Sequence, residues 1–150
     1  MTTFSQNDAE MMFRRSLDAL RNNNIEGWLM MWAEDGIMEF PFAPPGYPRL
    51  VGKQAIRDYI ARLPNIVRFD CFPSIQFHHI DGGKGMIVEF TAQGQALKSE
   101  RPYVQSYVSV IEFLDGRVRQ YRDYWNPDAV RAAIGPPDLT TLALSQEATR

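Results

Sequence analysis

The chain has 150 residues, of which 45% are apolar, enough for one domain with one core and too little for two. Sixteen basic residues stand against eighteen acidic ones, a formal net charge of −2, and the basic residues form no stripe, which argues against nucleic acid as a partner. The single cysteine, Cys71, excludes an internal disulfide and zinc patterns built on paired cysteines, while the absence of a secretory leader or a long apolar run predicts a cytoplasmic protein off the membrane.

From the N-terminus, SQND at residues 5 to 8 reads as a capping box with an acid in place of the usual Glu, and Met12, Phe13, Ser16, Leu17 and Leu20 follow at helical spacing. Asn22, Asn23 and Asn24 stop this helix. Ile25, Trp28, Leu29 and Trp32 repeat the spacing, predicting a second short helix capped by Asn24 and ended by Asp35 and Gly36. GIMEF is a short strand. PFAPPGYPRLVG, with four prolines and two glycines in twelve residues, predicts a long stiff loop. Lys53 to Leu63 is a third helix, its apolar side built from Ala55, Ile56, Tyr59, Ile60 and Leu63, stopped by Pro64.

The second half changes to strand patterns: SIQFHHI, GMIVEFTAQGQA, PYVQSYVSVIEF and RVRQYRDYW, with DGGKG and LDG as hairpin turns. Asn126 then caps a short helix opened by Pro127 and closed by Gly135, and a tail follows over 136–150. Helices followed by a mostly antiparallel sheet predict an α+β fold in which a twisted sheet wraps three N-terminal helices into a cone. The cone is where a ligand would go. The whole chain, 1–150, reads as a single domain with its core at about 8–135.

In the last strand, Arg119, Tyr121, Asp123 and Trp125 fall on one face by alternation. A carboxylate among aromatic rings is costly, and burial raises its pKa toward the range of a general acid or base. Arg119, ~13 Å along the strand, is too far to neutralise it. Asp123 is then either a solvated, structural acid at the open end of the sheet or the candidate catalytic residue of a pocket, with Tyr121 and Trp125 beside it and Ser109, Tyr107 and Gln105 on the preceding strand as ligand-binding candidates. Phe40, Tyr59, Trp28, Trp32, Phe42 and Phe90 are assigned to the core by their spacing, with Phe40 and Tyr59 also placed against the ligand. Tyr47, on the stiff loop, is placed to cover it. His78 and His79 are adjacent and face opposite ways, and no His, Asp and Glu cluster has metal-ligand spacing, so no metal is expected.

The element order, with WAEDGIMEFPFAPPG, VGKQAIRDYI and DGRVRQYRDYWNPDAVRAAIG, resembles the SnoaL-like branch of the nuclear transport factor 2-like superfamily over roughly residues 8 to 135. Within it, CFP at 71 to 73 and RDYWNP at 122 to 127 resemble the phenazine-biosynthesis PhzA/PhzB proteins, which implies for Asp123 the role of an acid in an imine-forming condensation. That family's upstream histidine has no counterpart before His78, and Arg68 stands where its serine is. Against the ketosteroid isomerases of the same superfamily, Phe40 stands where the base would be, and Ser16 and Ser109 stand near the oxyanion-hole positions.

These readings imply a cofactor-independent isomerase, cyclase or dehydratase acting on a hydrophobic or cyclic small molecule. A non-catalytic small-molecule binding protein of the same fold is the alternative, and a ligand-free interaction domain would have its cavity filled by side chains. The resemblance also implies a homodimer through the outer sheet face. Val118, Gln120, Arg122 and Tyr124, with Val104, Ser106, Val108 and Val110, are assigned to that face.

Overall fold

The computed structural model describes residues 3–135, so the tail expected at 136–150 lies outside the described residues. Helix α1 (Gln6–Arg21) opens on the expected capping box: the Ser5 hydroxyl accepts from the Asp8 N–H at 3.0 Å, and the Asp8 carboxylate accepts from the Ser5 N–H at 2.9 Å. Its buried stripe, with Phe13 and Leu17, faces the core. Helix α2 (Ile25–Leu29) is capped by Asn24, whose side chain accepts from the Gly27 N–H. It ends earlier than its apolar spacing predicts, because Trp32 opens strand β1 (Trp32–Glu39) and pairs in parallel with Val118. Tertiary pairing, together with Trp32 stacking on Tyr121 at 5.7 Å between ring centroids, overrides a helical period only two turns long.

The proline-rich segment carries one short strand, β2 (Leu50–Val51), which pairs with β1 and leads into helix α3 (Lys53–Ile60). Strand β3 (Val67–Cys71) was not expected. Its VRFDC alternates buried and exposed positions, but the run is short and is bounded by Pro64 and Pro73. Strands β4 (Ile75–Ile80), β5 (Gly85–Ala96), β6 (Pro102–Leu114) and β7 (Arg117–Trp125) follow the expected pattern, and helix α4 (Pro127–Ile134) is capped by Asn126. The sheet order is β2-β1-β7-β6-β5-β3, with β4 also on β5; β1 and β7 are parallel and the other neighbours antiparallel. The fold is the α+β cone of the nuclear transport factor 2 type.

Two local features set the curvature and the faces. At Gly94 on β5 a side chain would collide with the Arg68 carbonyl of β3, so glycine permits the close crossing where the β3–β5 register slips. Between β6 and β7, Asp115 and Gly116 form a two-residue turn with positive φ at both positions, 52° and 73°, as a twisted hairpin requires. Just beyond it the register slips again: Glu112 faces Gln120 but Phe113 faces Val118, leaving Arg119 as the extra residue of a bulge.

That bulge corrects the strict alternation expected for β7. Val118 points inward and is fully buried, whereas Arg119 is exposed and pairs with Asp35 at 3.5 Å, so Arg119 does not share the face of Asp123 and Val118 does not belong to the outer face. Phe42 is also corrected: it is 62% exposed and packs edge-on against Tyr124 outside the core.

Candidate functional site

Above the bulge, alternation holds and brings the inner positions of β6 and β7 together. Tyr107 stands opposite Trp125, Ser109 opposite Asp123 and Ile111 opposite Tyr121. Tyr121, Asp123, Trp125 and Tyr107 line one cavity between the concave sheet and the helices, and Tyr59 from α3 and Tyr47 from the proline-rich loop close on it. The cavity measures about 90 Å³. That is room for a small molecule. It is not filled by side chains, as a ligand-free interaction domain would require.

Among the described residues, Asp123 is the only charged one in the lining. Its carboxyl has no hydrogen bond or ion pair with another described residue, and burial pushes its pKa up to about 7. The exposure it retains as a residue is toward the cavity it lines. The acid is thus divided between its two protonation states near neutral pH, through desolvation alone.

Around it lie tyrosines joined in pairs. The hydroxyls of Tyr47 and Tyr59 are 2.7 Å apart, those of Tyr103 and Tyr107 2.6 Å, and Tyr121 meets the Ser109 hydroxyl at 2.6 Å. Burial raises the pKa of every one of these tyrosines, Tyr103 to about 12, and the charge of Asp123 adds to the rise. They remain neutral donors. Two hydroxyls sharing one hydrogen bond leave the proton of the accepting partner for a third group, so each pair retains one O–H to offer.

Three of the expected ligand-binding residues do not line the cavity. Ser109 is fully buried behind it and holds the Tyr121 hydroxyl. Gln105 is buried as well: its amide donates to the Asn126 carbonyl and accepts from the N–H groups of Asn126 and Ser106, clamping the junction of β7 and α4 behind Tyr103. Phe40 supports the rings of Tyr47 and Tyr59 from outside the lining. Neither histidine lines the cavity; His78 bonds Glu89 on the exposed side of the sheet, and His79 bonds Glu10 of α1.

Sequence reasoning missed Tyr103, Phe69, Phe72 and Trp28 as lining residues. Tyr103 was legible, being four positions from Tyr107 on the same face of β6. Phe69 was hidden with the strand that carries it, and Trp28 was absorbed by its helical spacing.

Fold and site together define a cone-shaped protein with an aromatic cavity and one buried acid. The family model of the SnoaL-like domain matches residues 13–121, and the chain belongs to that family. It is 38% identical over 129 residues to the uncharacterised protein YesE of Bacillus subtilis, covering 85% of this chain and 88% of that protein. It is 33% identical over 129 residues to an uncharacterised PhzA/B-like protein of Pseudomonas aeruginosa, covering 85% of this chain and 91% of the relative. A solved structure of a candidate isomerase from Bacillus subtilis superposes with a TM-score of 0.80 at 37% identity, covering 83% of this chain and 91% of that one. Among the described residues no helix is long and apolar enough to cross a membrane, and no three His, Cys, Asp or Glu side chains cluster as metal ligands.

Proposed function

We propose that the protein is a cofactor-independent small-molecule enzyme of the isomerase, cyclase or dehydratase type, in which Asp123 moves a proton on a hydrophobic or cyclic compound held in the cone. The observation that carries this reading is the unpaired Asp123 carboxyl, pushed to a pKa of about 7 inside an otherwise uncharged cavity. In its ionised form the Asp123 carboxylate can take a proton from carbon, and the acid so formed can return it elsewhere on the substrate. The spare O–H of a tyrosine pair would donate to a carbonyl oxygen as negative charge develops on it. Tyr121 and Trp125 flank the acid, and Tyr47, on its loop, would close over the bound compound.

The test is proton exchange at carbon. A panel of small cyclic ketones and enones incubated with the protein in heavy water should show deuterium entering beside the carbonyl, and Asp123→Asn should slow it by ~10² to 10⁴. Equal exchange with and without the Asp123 carboxyl would remove it from the chemistry.

A second reading, a non-catalytic binding protein of the same fold, takes its support from the hydroxyl pairs Tyr47–Tyr59 and Tyr103–Tyr107. Each satisfies part of its own hydrogen bonding instead of converging on Asp123. Tight binding without exchange would favour it.

The proposal includes a homodimer through the outer sheet face. Val104 and Val108 are 60% and 37% exposed there, near Tyr124 and the exposed ring of Phe42. An apolar and aromatic patch of this kind is covered when a two-fold axis sets it against its own copy. Sedimentation showing a monomer at micromolar concentration would contradict this.

A further inference from the structure

We propose that the cavity selects a small organic cation, a protonated or quaternary amine on a compact apolar body, seated between Asp123 and the surrounding aromatic faces. The inference deepens the reading of the same cavity as a small-molecule site and names what enters it.

Among the described residues, the lining holds a carboxyl and no lysine, arginine or histidine. A carboxylate in such a place is compensated in one of two ways: it takes a proton, or the ligand brings a positive charge. The rest of the wall favours the second. Tyr47, Tyr59, Tyr103, Tyr107, Tyr121 and Trp125 all contribute to it, and the faces of aromatic rings carry the negative side of their quadrupole. An anionic ligand would be repelled by the acid. A neutral one would leave the acid either protonated or uncompensated, whereas a cation is attracted by the carboxylate and by the rings together.

The size agrees. A trimethylammonium group with a short arm is a compact ion, and the cavity of about 90 Å³ has room for a small molecule of that kind. Such ions are weakly hydrated and surrender water to an apolar wall more readily than a metal ion does.

Choline and its uncharged carbon isostere 3,3-dimethylbutan-1-ol form the test pair, because they share shape and differ in charge. Both are titrated into the full chain by calorimetry at pH 8 and pH 5.5. Choline carries a permanent charge, so any pH dependence belongs to the protein. Across this window the groups facing Asp123 stay neutral: Tyr47 of the loop, Tyr59 of α3, Tyr103 and Tyr107 of β6 and Tyr121 of β7 are all shifted upward, and α1, α4, β1, β3 and β5 present no titratable side chain.

Choline is expected to bind more tightly than the alcohol at pH 8 by on the order of tenfold. Its affinity should fall on the order of 30-fold at pH 5.5, where Asp123 is protonated, while that of the alcohol does not fall. Asp123→Asn should erase the pH dependence and cut the preference for choline at pH 8 to what the rings alone supply. The pH series needs no variant, so the test survives if that variant folds poorly. Equal binding of the two compounds at pH 8 would overturn the cation inference and leave the small-molecule cavity standing; binding of neither would overturn both.

Discussion

The inner face of the sheet at β7 and its exposed side at β3 handle charge in opposite ways. On the inner face, Asp123 stands opposite Ser109 without a counter-charge, among rings, and its pKa rises. On the exposed side of the sheet, Asp70 of β3 is held by Arg68 at 2.8 Å, and the hydrogen bond to the guanidinium lowers its pKa. The same side chain is driven in opposite directions by its surroundings. Water and a partner make one an ordinary surface acid; their removal makes the other an acid that keeps its proton into the neutral range.

The strongest way to break the contrast is to remove the titrating proton from the inner face while keeping its shape. Asp123→Asn should lower the turnover of whatever reaction the cavity supports by ~10² to 10⁴, measured as kcat/KM on a substrate found by exchange screening.

The same variant should sharpen the contrast in stability. The folded pKa of Asp123 lies above the unfolded value, so the folded state binds more protons between the two; stability falls as pH rises from about 4 to about 7 and then levels off. At pH 8, Asp123→Asn should therefore stabilise the protein, by at most ~4 kcal/mol for a shift of about three pH units, and the gain should shrink toward pH 4. Urea unfolding at several pH values reads this directly. A gain independent of pH would show that the acid is not destabilised by its burial.

On the outer face, Val104→Glu places a charge in the exposed apolar patch, and the proposed dimer should weaken about tenfold or more in sedimentation while ligand binding in the cone is kept. The smallest effect is expected at the surface acid. Asp70→Asn removes a screened, solvent-exposed pair and should leave the urea midpoint where it was.

Much of this molecule can be read from its residues in order. The capping box at Ser5, the Asn24 and Asn126 caps, the Asp115–Gly116 turn and the long alternating strands act over a few residues, so local chemistry determines them. The family landmarks and the aspartate among aromatics were legible for the same reason. Tertiary structure alone decided three things. Trp32 leaves the helical period for a strand because Val118, far along the chain, supplies its hydrogen-bonding partner. Val118 and Arg119 exchange faces because a bulge inserts one residue, and alternation counted along the sequence cannot register an insertion set by pairing. Gln105 and Ser109 point inward as their spacing requires yet stop behind the lining, because Asn126 and Tyr121 engage their polar groups first. Which inward side chain reaches a ligand depends on what stands in front of it, and that is a property of packing in three dimensions.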